Sequence, residues 1–111
     1  MSGDVKNDEP RESPTIAAWL KLPADEQGRR GQQLNPYYRP TWMFMKAVEE
    51  RFVAEFADQP GVGEVFCGFV GTLGPLTGIA VTIRKGQPRT RLPKVYLGFP
   101  VVRRYESAGG R

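Results

Sequence analysis

Residues 41–58 have the sequence TWMFMKAVEERFVAEFAD, and residues 60–71 follow with PGVGEVFCGFVG. In the first stretch, apolar side chains recur every four residues, which predicts an amphipathic helix from Thr41 to about Asp58. The side chains of this stripe are Phe44, Val48, Phe52 and Phe56. After Gly61 the apolar period changes to two, which predicts a strand. This change of period within one short stretch predicts an α+β fold.

Further short strands are predicted in the C-terminal half of the chain. Residues 79–85 alternate between apolar and polar side chains, and residues 95–97 and 99–105 form two further strand-like segments. Pro100 lies in the last segment, and its missing N–H places it at a sheet edge or at the start of a strand. The predicted architecture is one long amphipathic helix packed on a small, mainly antiparallel sheet of three or four strands.

The first of these strands is apolar on both faces. Val65, Cys67 and Phe69 alternate with Glu64, Phe66, Gly68 and Val70, so both faces are largely apolar, and we expect this strand to be central, with the helix covering one side. If the other side is left uncovered, Phe66 and Val70 would face solvent, which would favour a homodimer or another partner.

The N-terminal part of the chain has weaker patterns. Residues 1–40 are predicted to be a flexible or extended segment with a short helix near 14–22, starting at Ser13 and Pro14. Residues 23–40 are rich in Pro, Gly and Gln and predict a linker. We therefore assign residues 41–106 to the α+β domain and 107–111 to a disordered tail.

Four further aromatic residues, two tyrosines and two tryptophans, are candidates for packing or binding. The pair Tyr37-Tyr38 stands between two prolines, and it either packs on the domain surface or acts as a docking motif. Trp19 and Trp42 are predicted to anchor the core or its edge.

Several kinds of chemistry are excluded by composition. The sequence contains no His and one Cys, Cys67. Nucleophile systems of the Ser-His or Cys-His type need an imidazole base, and zinc or iron–sulfur sites need several Cys or His ligands. We therefore predict that the protein is not an enzyme, has no catalytic residue and binds no metal or cofactor. Cys67 is expected to be a buried small apolar residue.

Location is also predicted from composition. A lone cysteine is compatible with the reducing cytoplasm. The sequence has no apolar run long enough to span a membrane, so we expect no membrane partner.

Charge divides the chain in two. Residues 1–64 contain eight basic and eleven acidic residues, whereas residues 65–105 contain seven basic residues and no acidic one. The asymmetry indicates a basic binding surface in the C-terminal half, although a solvated loop that keeps a small protein soluble would give the same pattern. The candidate partner-binding residues are Arg84, Lys85, Arg89, Arg91, Lys94, Arg103, Arg104, Tyr96 and Tyr105.

Two functions are favoured by these residues, and a third, an enzyme that uses only Asp, Glu, Arg or Tyr or the regulatory fragment of one, would need two carboxylates to converge in a pocket. The first is a non-enzymatic binding or assembly module, which contacts a larger protein through a basic hairpin and an exposed sheet edge. The second is a nucleic-acid-binding protein, in which the basic residues of segment 84–104 contact phosphates and Tyr96 or Tyr105 stacks on bases.

Half of the chain also resembles a known module. The segments PGVGEVFCGFVG (60–71), GIAVTIRKG (78–86) and RLPKVYLGFPVV (91–102) are similar to segments of bacterial proteins of unassigned function. They are also similar to the N-terminal α/β portion that precedes some bacterial trypsin-like peptidase domains. The resemblance implies a small α+β fold. It carries over no catalytic residue, because the chain has no His and no peptidase serine follows these segments.

Overall fold

The computed structural model describes residues 14–71, 74–86 and 90–105. These residues form three helices, α1 (Ile16–Leu20), α2 (Ala24–Gln33) and α3 (Arg39–Phe56). They also form four strands, which we number β1 (Val62–Phe69), β2 (Thr77–Ile83), β3 (Val95–Tyr96) and β4 (Phe99–Tyr105). The predicted α+β class is confirmed, since one mixed sheet packs against helices. In the described residues, no helix is long and apolar enough to cross a membrane.

The strands form one sheet in the order β1-β2-β4-β3. Neighbours β1 and β2 are antiparallel, β3 and β4 are antiparallel, and the central pair β2 and β4 is parallel. Because β2 and β4 run in the same direction, the segment between them is a crossover connection. The predicted basic hairpin is therefore wrong, since β2 does not return along a neighbouring strand after residue 84.

The position of β1 also differs from our expectation. We expect β1 in the centre, but it forms one edge of the sheet. Of the two inner strands, β2 is buried along almost its whole length. One face of β1 packs under α3, and the other face carries Phe66, which remains 51% exposed. Val70 is 1% exposed, so the prediction that it faces solvent is wrong.

The main core lies between α3 and one face of the sheet. The helix contributes the predicted stripe, and β2 contributes Ile79, Val81 and Ile83 from alternate positions. Trp19 joins this core from α1, with its ring stacked on Phe99 at a centroid distance of 5.8 Å. The indole Nε1 of Trp19 also donates a hydrogen bond to the Leu97 carbonyl at 2.7 Å. The described N-terminal residues therefore belong to the same folded unit as the sheet.

The second helix corrects the predicted linker. Residues 24–33 have no continuous apolar stripe, but acidic Asp25 and Glu26 lie in the first turn, where they favour a helix N-terminus. Glu26 also forms ion pairs with Arg29 and Arg30 one turn later. The predicted cap of the short first helix is also revised, because Thr15 caps it and Ser13 lies outside the described residues.

The predicted long helix is confirmed with shifted ends. It begins at Arg39, with Tyr38 as N-cap and Pro40 in its first turn, and ends at Phe56. Its apolar stripe is buried as expected. Proline is tolerated in the first turn because the N–H groups there have no partner within the helix.

The sheet face away from α3 is lined by small residues. Gly68, Gly78 and Ala80 lie there, and the ring of Phe66 covers Gly68. Arg104 in β4 donates a hydrogen bond from Nη2 to the Val70 carbonyl at 2.7 Å. This hydrogen bond joins β4 to the residue that follows β1, across the strand that lies between them.

Candidate binding surface

The predicted basic residues do not form one patch. Arg84 and Lys85 follow the end of β2, Arg91 and Lys94 lie in the crossover, and Arg89 lies outside the described residues. In β4, consecutive side chains point to opposite faces, so Arg103 and Arg104 are on different sides of the sheet. The crossover therefore distributes the charges around the sheet.

Parallel pairing still brings some of these residues to one end of the sheet. Thr82 is paired with Arg104, and Ile83 is paired with Tyr105. Arg84, which follows Ile83 directly, is therefore near the end of β4, and the Tyr105 side chain is 69% exposed there. We call Arg84, Lys85, Arg103 and Tyr105 the basic end.

Tyr96 is a core residue and is not available for stacking on bases. It is only 8% exposed, and its ring makes edge contacts with Phe52 and Phe56. Its hydroxyl donates a hydrogen bond to the Glu55 carboxylate at 2.5 Å. Burial and this hydrogen bond raise the pKa of Tyr96 to about 12. Tyr96 thus stabilises the contact between β3 and α3.

Exposed aromatic side chains gather at the other end of the sheet. Tyr37 is 85% exposed and meets Phe69, at the end of β1, with ring centroids 5.9 Å apart. Trp42, which is 49% exposed, lies in α3 four positions after the N-cap Tyr38, where a residue preceding the cap commonly packs. We call Tyr37, Trp42 and Phe69 the aromatic corner. The sequence alone predicts Trp42 in the core or at its edge, and it does not decide whether Tyr37 packs on the domain surface or acts as a docking motif.

A row of polar contacts connects this corner with the outer edge of β1. The Lys46 ammonium lies 5.8 Å from the centre of the Trp42 ring, and it forms an ion pair of 2.8 Å with Glu49. The other carboxylate oxygen of Glu49 accepts a hydrogen bond of 3.1 Å from the Cys67 N–H. The helix α3 therefore lies beside the outer edge of β1 and touches it through Glu49.

The surroundings of the Cys67 thiol do not favour reactivity. Burial and, to a smaller extent, the neighbouring Glu49 carboxylate together raise the pKa of the Cys67 thiol to about 12. A thiol with so high a pKa carries little nucleophilic thiolate at neutral pH. In the described part of the chain, no group of three or more Cys, Asp or Glu side chains is placed to hold a metal ion.

Comparison of the chain with protein-family models, with curated proteins and with solved structures found no match. The resemblance of residues 60–102 to the N-terminal portion of trypsin-like peptidases therefore remains a prediction.

Proposed function

We propose that the protein is a non-enzymatic binding module that contacts a larger protein through the aromatic corner and the adjoining edge of β1. The observation that carries this proposal is the contact between two exposed rings, Tyr37 and Phe69, with a third exposed ring, Trp42, in the first two turns of the adjoining helix α3. Tyr, Trp and Phe are enriched at protein interfaces, because each buries a large area while few rotatable bonds are fixed.

The position of the corner supports the same proposal. Tyr37 immediately precedes α3, Trp42 is in its first two turns, and Phe69 is paired with buried Thr77. The backbone carrying these rings is thus fixed by the helix and the sheet. Binding a partner there would cost this protein less conformational freedom than binding through a flexible loop.

A double variant tests the proposal. Tyr37→Ala with Trp42→Ala removes two exposed rings, so the fold should be retained while affinity for the captured partner falls about tenfold or more. Capture from the producing cells identifies the partner, and calorimetry with purified proteins measures the affinity. Tyr105→Ala is the matched control, because this ring is also exposed but lies at the opposite end of the sheet. Equal affinity of the double variant and the parent protein would contradict the proposal.

The basic end favours a second candidate function, nucleic-acid binding. Parallel pairing places Arg84 near the exposed Tyr105, and Arg103 lies two residues before Tyr105 on the same strand, a combination suited to phosphate contact and base stacking. Fluorescence anisotropy with single- and double-stranded DNA and RNA tests this function. Binding that weakens steeply between about 50 and about 200 mM salt, and that is lost in an Arg84→Gln, Arg103→Gln variant, would favour it.

A further inference from the structure

The outer edge of β1 presents backbone groups to its surroundings. Val70 N–H donates to the Leu76 carbonyl, so even-numbered residues here are hydrogen-bonded to β2. The N–H of Cys67 instead points to Glu49, and antiparallel alternation gives Val65 and Phe69 the same outward direction. Among the described residues, nothing pairs with the backbone N–H and C=O groups of Val65 and Phe69. An extended main chain has the spacing of donors and acceptors that fits these groups.

The features that usually prevent strand pairing are confined to the start of this edge. Natural edge strands are commonly protected by charged side chains, prolines, bulges or short length. In β1, Glu64 and a register irregularity lie between Val62 and Val65, whereas the segment from Val65 to Phe69 contains no charged residue and no proline. Its protection comes from α3, where the Glu49 carboxylate occupies the Cys67 N–H.

Glu49 is suited to act as a removable cap. Its second oxygen is held by Lys46, one turn away on the same helix, so the ion pair can persist when the first oxygen leaves Cys67. A peptide carbonyl would replace the carboxylate oxygen as the acceptor for the Cys67 N–H. The exchange keeps this N–H satisfied, which limits the cost of opening the edge.

The helix determines what fits at this edge. Since α3 packs on β1 and reaches its outer edge through Glu49, a strand added at this edge would lie beside the outer side of α3. Trp42 and Lys46 are one turn apart, about 6 Å along the helix. This matches the spacing of about 6.7 Å between alternate side chains of a strand. One helix-facing side chain of the strand would therefore contact the aromatic corner, and the next would face Lys46 and Glu49.

We propose that the outer edge of β1 binds an extended peptide of the partner protein by strand addition, with Glu49 displaced from Cys67. The peptide carries an apolar side chain at the aromatic corner and a polar one two residues away, beside Lys46 and Glu49. This inference rests on the proposed function, because the apolar anchor uses the same corner. It adds the conformation and the sequence pattern of the bound segment.

A phage-displayed library of random octapeptides supplies the probe. Selected peptides are synthesised with a single N-methyl group at each position in turn, and their affinities are measured by fluorescence anisotropy. Strand addition predicts an alternating result, in which every second N-methyl group weakens binding about tenfold or more while the intervening ones change it little. The reason is that only alternate N–H groups of an added strand face β1. Val65→Pro, which removes an outward N–H, should weaken the same peptides, and circular dichroism checks its fold.

The two proposals can fail separately. Peptides that need Trp42 but show no alternation, or a repeat of three to four positions, would overturn strand addition and leave the aromatic corner as the binding surface. Selected peptides that bind the Tyr37→Ala, Trp42→Ala variant as tightly as the parent protein would count against the corner itself. Failure to select any peptide would also overturn strand addition.

Discussion

Single residues determine how closely α2 approaches the sheet. The turn between β3 and β4 consists of Leu97 and Gly98, with φ values of 50° and 84°. Two successive residues with positive φ are typical of a type I′ hairpin turn, which matches the twist of the strands it joins. A Cβ at Gly98 would lie 2.5 Å from the Cβ of Gln27 and 2.8 Å from the N of Gly28. Gly98 therefore meets both a conformational and a packing requirement.

A pair of glycine substitutions separates these two requirements. Gly86 also has positive φ, at 78°, but a Cβ there would meet nothing within 4 Å. We expect Gly86→Ala to lower the free energy of unfolding by about 1 kcal/mol, the cost of a left-handed conformation. Gly98→Ala should lower it by at least about 2 kcal/mol more, because α2 must also move. Urea unfolding measures both, and equal losses would show that α2 does not restrict this turn.

At the scale of elements, the sequence predicted those whose packing is apolar and periodic. The stripe of α3 and the alternation of β2 both fill the core, so their patterns were visible before the structure. In contrast, α2 is attached through a glycine and two glutamines. Gly31 lies against the Phe99 ring, and Gln27 Nε2 donates a hydrogen bond of 2.8 Å to the Trp19 carbonyl. Such contacts leave no hydrophobic period, which is why the sequence predicts a linker over residues 23–40 and gives no sign of the helix at 24–33.

The best-defined of these contacts is made by Gln32. Its amide donates to the Thr77 carbonyl at 2.7 Å and accepts from the Thr77 N–H at 3.0 Å, as a neighbouring strand would. Gln32→Leu leaves both backbone groups of a buried residue unsatisfied, so we expect a loss of about 2 kcal/mol in unfolding free energy. Gln33→Leu, at the exposed next position, should change stability by less than about 0.5 kcal/mol. Thermal unfolding of both variants checks this difference, and similar melting temperatures would argue against an attachment through Gln32.

The candidate site was less predictable than the fold. Charge asymmetry identified the basic residues, but it contained no information on the parallel pairing that brings Tyr105 near Arg84. The aromatic corner depends on Tyr37 and Phe69, which are distant in sequence and meet only in the folded chain. An unusual signal was present in the proline-flanked Tyr37-Tyr38 pair, but sequence alone did not distinguish packing from exposure.

At the scale of the whole molecule, the Tyr96 hydroxyl and the Cys67 thiol predict how stability depends on pH. The pKa of Tyr96 is raised from 10.0 to about 12, by burial and by the Glu55 hydrogen bond. Burial raises the pKa of Cys67 from 9.0 to about 12. Because the folded state holds both protons more tightly than the unfolded state, their contribution to stability is complete below about pH 9 and is lost as the pH rises toward about 12.

We therefore expect the urea midpoint to fall across this alkaline range. In Tyr96→Phe the ring packing is retained and the titrating hydroxyl is removed, so the midpoint should fall less steeply between about pH 10 and about pH 12. Urea unfolding followed by circular dichroism at several pH values measures this slope. Tyr105→Phe, a change at an exposed ring, is the control and should keep the parent slope. An unchanged slope in Tyr96→Phe would mean that Tyr96 does not contribute to the alkaline loss.

The contact of Trp19 with Leu97 and Phe99 has a consequence for biosynthesis. This indole, near the start of the described chain, reaches its stacking partner and its hydrogen-bond acceptor only after the ribosome has made β4. Until then α1 can pack only on α3, where the Trp19 and Phe44 ring centroids lie 5.0 Å apart, although α3, β1 and β2 can already associate as neighbours in sequence. A nascent chain interrupted before Phe99 would therefore leave one face of this tryptophan uncovered, the kind of apolar surface that chaperones recognise.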